Sequence, residues 1–410
     1  MNALIRIKIT APVFVMALSL VAATASTTDV IFSFEEEEGE YADTDLEADS
    51  AGNLYGTTVL GGDHGSGTVF QLSSTPGGWE HTVLYSFTGG ADGGEPYKGV
   101  TIDRRGNLYG TAVTGGSGGC EGGCGVVYKL TKSGGTWNQA VIYAFTGGDD
   151  GSGPGARVTV DRSGDVYGMT PTGGMYGVGT IYRLHPHAGS YTFQVIHTFT
   201  GGNDGAAGSA GRMLLQNGRL YGAATSGGMY GSGVVFEITP TAVAEWNFRA
   251  LYSFHGQPDG SFPYGALLYA PSGKIYGTTY YGGENGIGAV YELSPGRDDV
   301  GEWNGRVIYS FQTGSDGNSP ISNLVRDGAG NLAGNLYGTT SEGGLGSGTI
   351  FKLSPIGGGQ WTESVVHRFA GPPDGGFSYN GMVVDRFGNF YGATVHGGTD
   401  DDGCVYKFTP

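Results

Sequence analysis

Gly106-Asn-Leu-Tyr-Gly-Thr-Ala112 is a short run that carries a Tyr-Gly step, and that step returns along the whole chain. Its tyrosines are Tyr55, Tyr109, Tyr167, Tyr221, Tyr276, Tyr337 and Tyr391, at intervals of 54, 58, 54, 55, 61 and 54 residues. A period of that length marks stacked or radially arranged supersecondary units. Seven copies account for nearly all of the 410 residues without invoking a second domain.

Outward from Tyr109, each unit reads as four strands. Gly99–Asp103 is a first short strand, Arg104 to Gly106 a turn, and Asn107–Ala112 a second strand. Gly125–Leu130 follows a glycine-rich loop, and Trp137–Phe145 closes the unit. Val, Ile, Tyr and Phe fill these runs and Gly, Asp and Ser bound them, the pattern of strands and turns. The fourth strand recurs most regularly, as VIFSF (30–34), VLYSF (83–87), VIYAF (141–145), VIHTF (195–199), ALYSF (250–254), VIYSF (307–311) and VVHRF (365–369). Trp79, Trp137, Trp246, Trp303 and Trp361 each stand eight residues before its final Phe. An even spacing puts both aromatics on one strand face, where the indoles read as packing residues.

The chain opens with a fourth-type strand, Val30–Phe34, and finishes with a third-type strand, Cys404–Phe408. The last unit therefore lacks an outer strand that the N-terminal segment supplies. This predicts an all-β, seven-bladed β-propeller with four antiparallel strands per blade. The N-terminal strand pairs in the last blade and closes the ring, which removes exposed sheet edges.

Composition narrows the setting. Residues 1–25 have the form of a signal peptide: Arg6 and Lys8, an apolar run from Ala11 to Ala22, and Ala23-Thr24-Ala25 as a cleavage site. The predicted mature chain, 26–410, is secreted or extracellular, with the periplasm as the other oxidising destination, and no later stretch reads as a transmembrane span. A formal net charge of −17 disfavours nucleic acid and anionic membrane as partners. Cys120 and Cys124 pinch one lengthened loop and read as a local disulfide; Cys404 is left over.

The loops that open on one face of such a ring are rich in glycine, as in Gly173-Gly-Met-Tyr-Gly-Val-Gly179 and Gly227-Gly-Met-Tyr-Gly-Ser-Gly233. No helix follows them, so they are not dinucleotide fingerprints. Their exposed pairs, Met175-Tyr176 and Met229-Tyr230, are candidate ligand contacts, because Tyr offers a flat surface and a hydroxyl. Asp92, Asp150, Asp204, Asp259, Asp316 and Asp374 each precede a Gly between units, and Asp103, Asp161 and Asp385 each precede the turn after the first strand. All nine read as structural turn residues. The acidic run Glu35, Glu36, Glu37, Glu38, Glu40, Asp43 and Asp45 reads either as solvated surface or as oxygen ligands for calcium, and no other cofactor is expected. No nucleophile or zinc-hydrolase motif is present, although carboxylates meeting across blades would leave no sequence motif.

The unit SFTGG-x-DG-x-x-P…GNLYGTT…GG-x-x-G-x-G-TVF-x-L closely resembles the GloVer tandem repeat, a family named for Gloeobacter and Verrucomicrobia. Ser86–Leu130 and Ser253–Leu293 carry full examples. The resemblance implies an exported repeat protein and transfers no catalytic residue. Many relatives carry C-terminal sorting anchors, whereas Pro410 follows the last strand directly, so release rather than attachment is expected. The expected role is non-catalytic binding or scaffolding, with an extracellular glycan or protein as ligand. A polysaccharide hydrolase or lyase with carboxylates at the channel mouth, and a self-assembling structural protein, are the alternatives.

Overall fold

The computed structural model describes residues 26–206, 211–242, 245–296, 303–312, 314–327 and 334–410. The signal-peptide reading of residues 1–25 lies outside them, as does most of the stretch from Asp327 to Asn335, where the sequence repeats Ala-Gly-Asn-Leu in part and so lengthens the interval between Tyr276 and Tyr337 to 61 residues. The described residues hold no α-helix and form seven sheets, all with antiparallel pairings. In chain order the blades span residues 47–86, 101–144, 159–198, 214–253, 261–310, 325–368 and 383–409, the last joined by 27–33.

Blade 2 shows the pattern. Thr101–Ile102, Leu108–Ala112, Val126–Ser133 and Thr136–Ala144 lie side by side in chain order. The strands lengthen from the first to the fourth. The first is shorter than its sequence suggests, because the innermost strands converge and only two residues pair. The third and fourth are longer, meeting in a tight Gly134-Gly135 hairpin. Blade 5 departs from the four-strand scheme: Ser261–Pro263 adds a fifth strand against Ile275–Tyr281. In blade 7 Thr27–Ser33 pairs antiparallel with Cys404–Thr409, with Val30 opposite Tyr406.

Seven separate hydrophobic cores lie between successive sheets. One joins Leu108 and Tyr128 of blade 2 to Tyr55 and Val69 of blade 1. Another joins Tyr391 and Val405 of blade 7 to Leu54 and Phe70 of blade 1, so the contacts run round the ring. The outer-strand tryptophans belong to these cores. Trp79 meets Tyr391 of the preceding blade edge-on at 5.6 Å, and Trp246 and Trp361 meet Tyr167 and Tyr276 in the same way.

The repeated glycines are explained by close approach. After each Tyr, the Gly lies under an aromatic ring from the third strand: a Cβ on Gly110 would stand 2.3 Å from the Tyr128 hydroxyl, and one on Gly56 2.5 Å from Phe70. On the loop face, the first Gly of each GG pair abuts the Gly of the preceding Asp-Gly or Glu-Gly step, as Gly115 does Gly93 and Gly397 does Gly375. Contacts this short admit no side chain.

Candidate functional site

The repeated carboxylates hold turns. Asp103 Oδ1 accepts the amides of Arg105 and Asn107, and its Oδ2 accepts the Asn107 side chain and the Tyr109 hydroxyl. Burial opposes its ionisation, but these bonds outweigh burial and keep the carboxyl below its ordinary range. Asp49 and Asp385 make the same set of bonds. Asp161 likewise takes the amides of Ser163 and Asp165, while the Tyr167 hydroxyl goes to Asp165. Asp327 holds the equivalent place by taking Asn335 across the lengthened turn, a role hidden in the sequence by that insertion. Where Leu215 and Ala270 stand at this position, a third-strand glutamate serves the tyrosine: Tyr221 bonds Glu237 and Tyr276 donates to Glu292.

The Asp-Gly residues cap the connections between blades. Asp92 takes the Thr88 amide and the Tyr85 hydroxyl, and Asp150 and Asp259 make the matching pairs of bonds. Asp316 takes Tyr309 and Gln312; Asp204 and Asp374 are served by His197 and His367.

The axis carries a pocket of mixed aromatic and polar character. A cavity of about 430 Å³ opens there, lined by Asp43, Lys98, Phe262, Tyr264, Tyr280, Tyr281, Ile321 and Tyr379. These residues come from or border blades 1, 2, 5, 6 and 7. Asp43, Tyr264, Ile321 and Tyr379 occupy one repeat position, four residues past the Gly of the step between blades, where blade 2 has Tyr97 and blade 3 has Gly155. The backbone just before this position is held in the left-handed region at Tyr41, Glu95, Phe262, Ser319 and Phe377. The turn is shared, and the side chains that follow it differ in chemistry: in blade 2 Lys98, the next residue along, reaches the pocket.

Lys98 is the centre of the polar part. It is 7% exposed, itself at positive φ, and its ammonium donates to Asp43 Oδ1 at 2.6 Å and Asn380 Oδ1 at 3.1 Å. Asn380 Nδ2 also donates to Asp43 Oδ1, at 2.8 Å. Burial works against the ammonium, but Asp43, Tyr264 and Asp45 outweigh it and raise its pKa, so Lys98 stays charged. Burial, Asp43 and Glu342 raise Tyr379, which stays a neutral phenol. Tyr280 and Tyr281 stand edge to face at 4.4 Å, and Phe262 meets Tyr281 at 5.7 Å.

Below the pocket, side chains bridge the channel. Arg157 of blade 3 pairs with Glu47 of blade 1, and Arg212 of blade 4 approaches the same carboxylate at 4.0 Å. Glu47 and Arg212 line other cavities, so the pocket is separate from them.

The acidic run is spread over several surroundings. Glu35, Glu36 and Glu37 are exposed, Glu38 lies 3.7 Å from His81, and Glu40 is bound through its backbone to Leu60. Asp43 pairs with Lys98, and Asp45 takes the Gly381 amide. Among the described residues no three His, Cys, Asp or Glu side chains gather as a metal site. Burial, then the charges of Asp402 and Glu36, raise the Glu40 carboxyl above its ordinary range, so these acids face one another rather than a cation of the protein. Met175, Tyr176, Met229 and Tyr230 are 71%, 57%, 58% and 50% exposed and do not line the axial pocket. Tyr230 stacks on His255 instead, at 3.9 Å. Cys120 and Cys124 are joined in a disulfide and Cys404 is a buried thiol.

Seven sheets around one axis, each built from one sequence repeat, define a tandem-repeat β-propeller. The model of the Gloeobacter/Verrucomicrobia repeat matches residues 16–211, 117–334 and 247–410. The chain belongs to that repeat family. No curated protein matches the sequence. Among solved structures it is similar to a Bacteroides uniformis protein assigned as a 6-phosphogluconolactonase, at 15% identity and TM-score 0.51, covering 83% of this chain and 88% of that one. It is also similar to a Lactobacillus plantarum protein at 13% identity and TM-score 0.50, with the same coverage of 83% and 88%. A Penicillium chrysogenum α-L-arabinanase complexed with arabinobiose matches at 15% identity and TM-score 0.42, covering 75% of this chain and 91% of that one. At these identities the likeness is one of fold alone.

Proposed function

We propose that this propeller is an exported, non-catalytic recognition protein whose axial pocket binds an extracellular glycan. The observation that carries the reading is the pocket itself: tyrosine and phenylalanine rings from blades 5 and 7 stand over the polar cluster Lys98–Asp43–Asn380. Aromatic faces cover the apolar faces of sugar rings while a few fixed polar groups meet hydroxyls, the general plan of a small-molecule site. Asp43 is the one carboxylate in the lining, and it is tied to an ammonium. A glycosidase needs two carboxyl groups flanking the scissile bond, so the lining favours binding over hydrolysis. The Cys120–Cys124 disulfide supports export, since such bonds persist in oxidising compartments.

The test is a glycan array probed with the chain from Ser26 onward, beside Tyr264→Ala and Tyr379→Ala. Saturable binding that both variants lose while keeping the wild-type β-sheet circular dichroism supports the reading. Binding that survives both substitutions moves the site elsewhere, and binding only to a protein partner overturns the glycan assignment.

A further inference from the structure

We infer that the axial pocket takes the end of a neutral oligosaccharide rather than the middle of a chain or an acidic sugar; this rests on the glycan-binding reading above. Three observations lead to it. The first is charge. The two ionised groups of the lining, Lys98 and Asp43, neutralise each other at 2.6 Å, and Asn380 bonds to both without adding charge. A uronate or sulfate entering here finds no spare cation, and meets the Asp43 carboxylate in a poorly solvated site, where like charges are costly. A hydroxyl, by contrast, finds ready partners. Both bonds to Asp43 fall on Oδ1, which leaves Oδ2 outside that pair of bonds as an acceptor.

The second is depth. Lys98 of blade 2 reaches Asn380 of blade 7 past blade 1, and the Glu47–Arg157 pair crosses the channel beneath. A chain cannot thread through such a bridge. The third is size. Small-ligand pockets run from about 300 to about 1,000 Å³, so one of about 430 Å³ holds roughly one or two sugar rings. A blind, small, neutral pocket ringed by aromatic walls fits a terminus, with the remainder of the chain outside.

Isothermal titration distinguishes end recognition from other modes. The probes are neutral gluco-, xylo-, manno- and arabino-oligosaccharides from the disaccharide upward, their longer linear forms, and oligogalacturonates of matched length. End recognition predicts one protein bound per oligosaccharide molecule whatever its length, with affinity constant once the pocket is filled. It also predicts that Asp43→Asn, which leaves the Lys98 charge unbalanced, improves oligogalacturonate binding by about tenfold relative to neutral sugar. A double Lys98→Gln, Asp43→Asn variant restores charge balance and the neutral preference, which separates charge from fold damage. Stoichiometry that rises with chain length overturns the inference while sparing the glycan reading. Tighter binding of oligogalacturonate by the wild type does the same. Absence of binding to every probe overturns both.

Discussion

Gly110 and Tyr128 form a contact made in all seven blades, and the seven copies vary it informatively. The ring over the glycine is Phe in blades 1, 4 and 6 (Phe70, Phe236, Phe351) and Tyr in the others. Tyr128 and Tyr182 bury hydroxyls that have no partner within the protein. Leaving a buried hydroxyl unpaired costs about 1–3 kcal/mol. Tyr128→Phe is therefore expected to leave the melting temperature unchanged or raise it, whereas Gly110→Ala forces a methyl into the ring and is expected to cost about 1–3 kcal/mol. Thermal unfolding of both variants checks the pair. Glu363 gives a pH prediction. Burial, then the nearby Asp316, push its carboxyl up to about 7, against the bond from Tyr309 and the charge of Arg368. A folded pKa above the unfolded one means the folded state keeps a proton that the unfolded chain has lost. The resulting stability is present below the unfolded value and drains away as pH rises toward 7. Glu363→Gln removes this dependence. Relative to wild type it is expected to gain roughly 1 kcal/mol between pH ~5 and ~8, a figure reduced for solvent screening of a partly buried group.

Among the elements, the outer hairpins were the most legible in the sequence, because alternation, a fixed Trp-to-Phe spacing and glycine turns all agree there. The innermost strands were overestimated, since crowding at the axis leaves pairing for only two residues in most of them. The axial pocket was scarcely legible. Asp43 was visible only as part of an acidic run, and Lys98, Asn380, Tyr264 and Tyr379 have no motif to announce them. They sit at positions where the repeats disagree, and reading for what repeats passes over them. Divergence between the copies is their signature: Asp43, Tyr97, Gly155, Tyr264, Ile321 and Tyr379 share one place, and Lys98 and Asn380 share the next. The loop disulfide belongs to this scale as well. It closes a separation of only 4 residues. Replacing Cys120 and Cys124 together by Ser is expected to cost about 2 kcal/mol, by the loop-entropy estimate for so short a ring. Denaturant unfolding measures it, and the axial pocket, which neither cysteine lines, should keep its ligand affinity.

For the whole molecule, Thr27–Ser33 decides whether the ring has edges. It gives blade 7 its outer strand, and Phe34 adds a fully buried ring to the core between blades 7 and 1. Deleting residues 27–34 exposes the edge of Cys404–Thr409 and removes that aromatic. Phe34→Ala alone is expected to cost about 3–5 kcal/mol. The deletion should cost more and add concentration-dependent association through the bared strand. Scanning calorimetry with light scattering tests both, and an unchanged transition after deletion contradicts the role given to this strand.

The same pairing sets an order of events during synthesis. The strand that completes the last blade leaves the ribosome six blades ahead of its partner, so it waits unpaired until the C-terminal residues are made. Folding of this seam therefore belongs to the finished chain rather than the growing one. Until then the six earlier blades have formed without the seam that joins the first of them to the last.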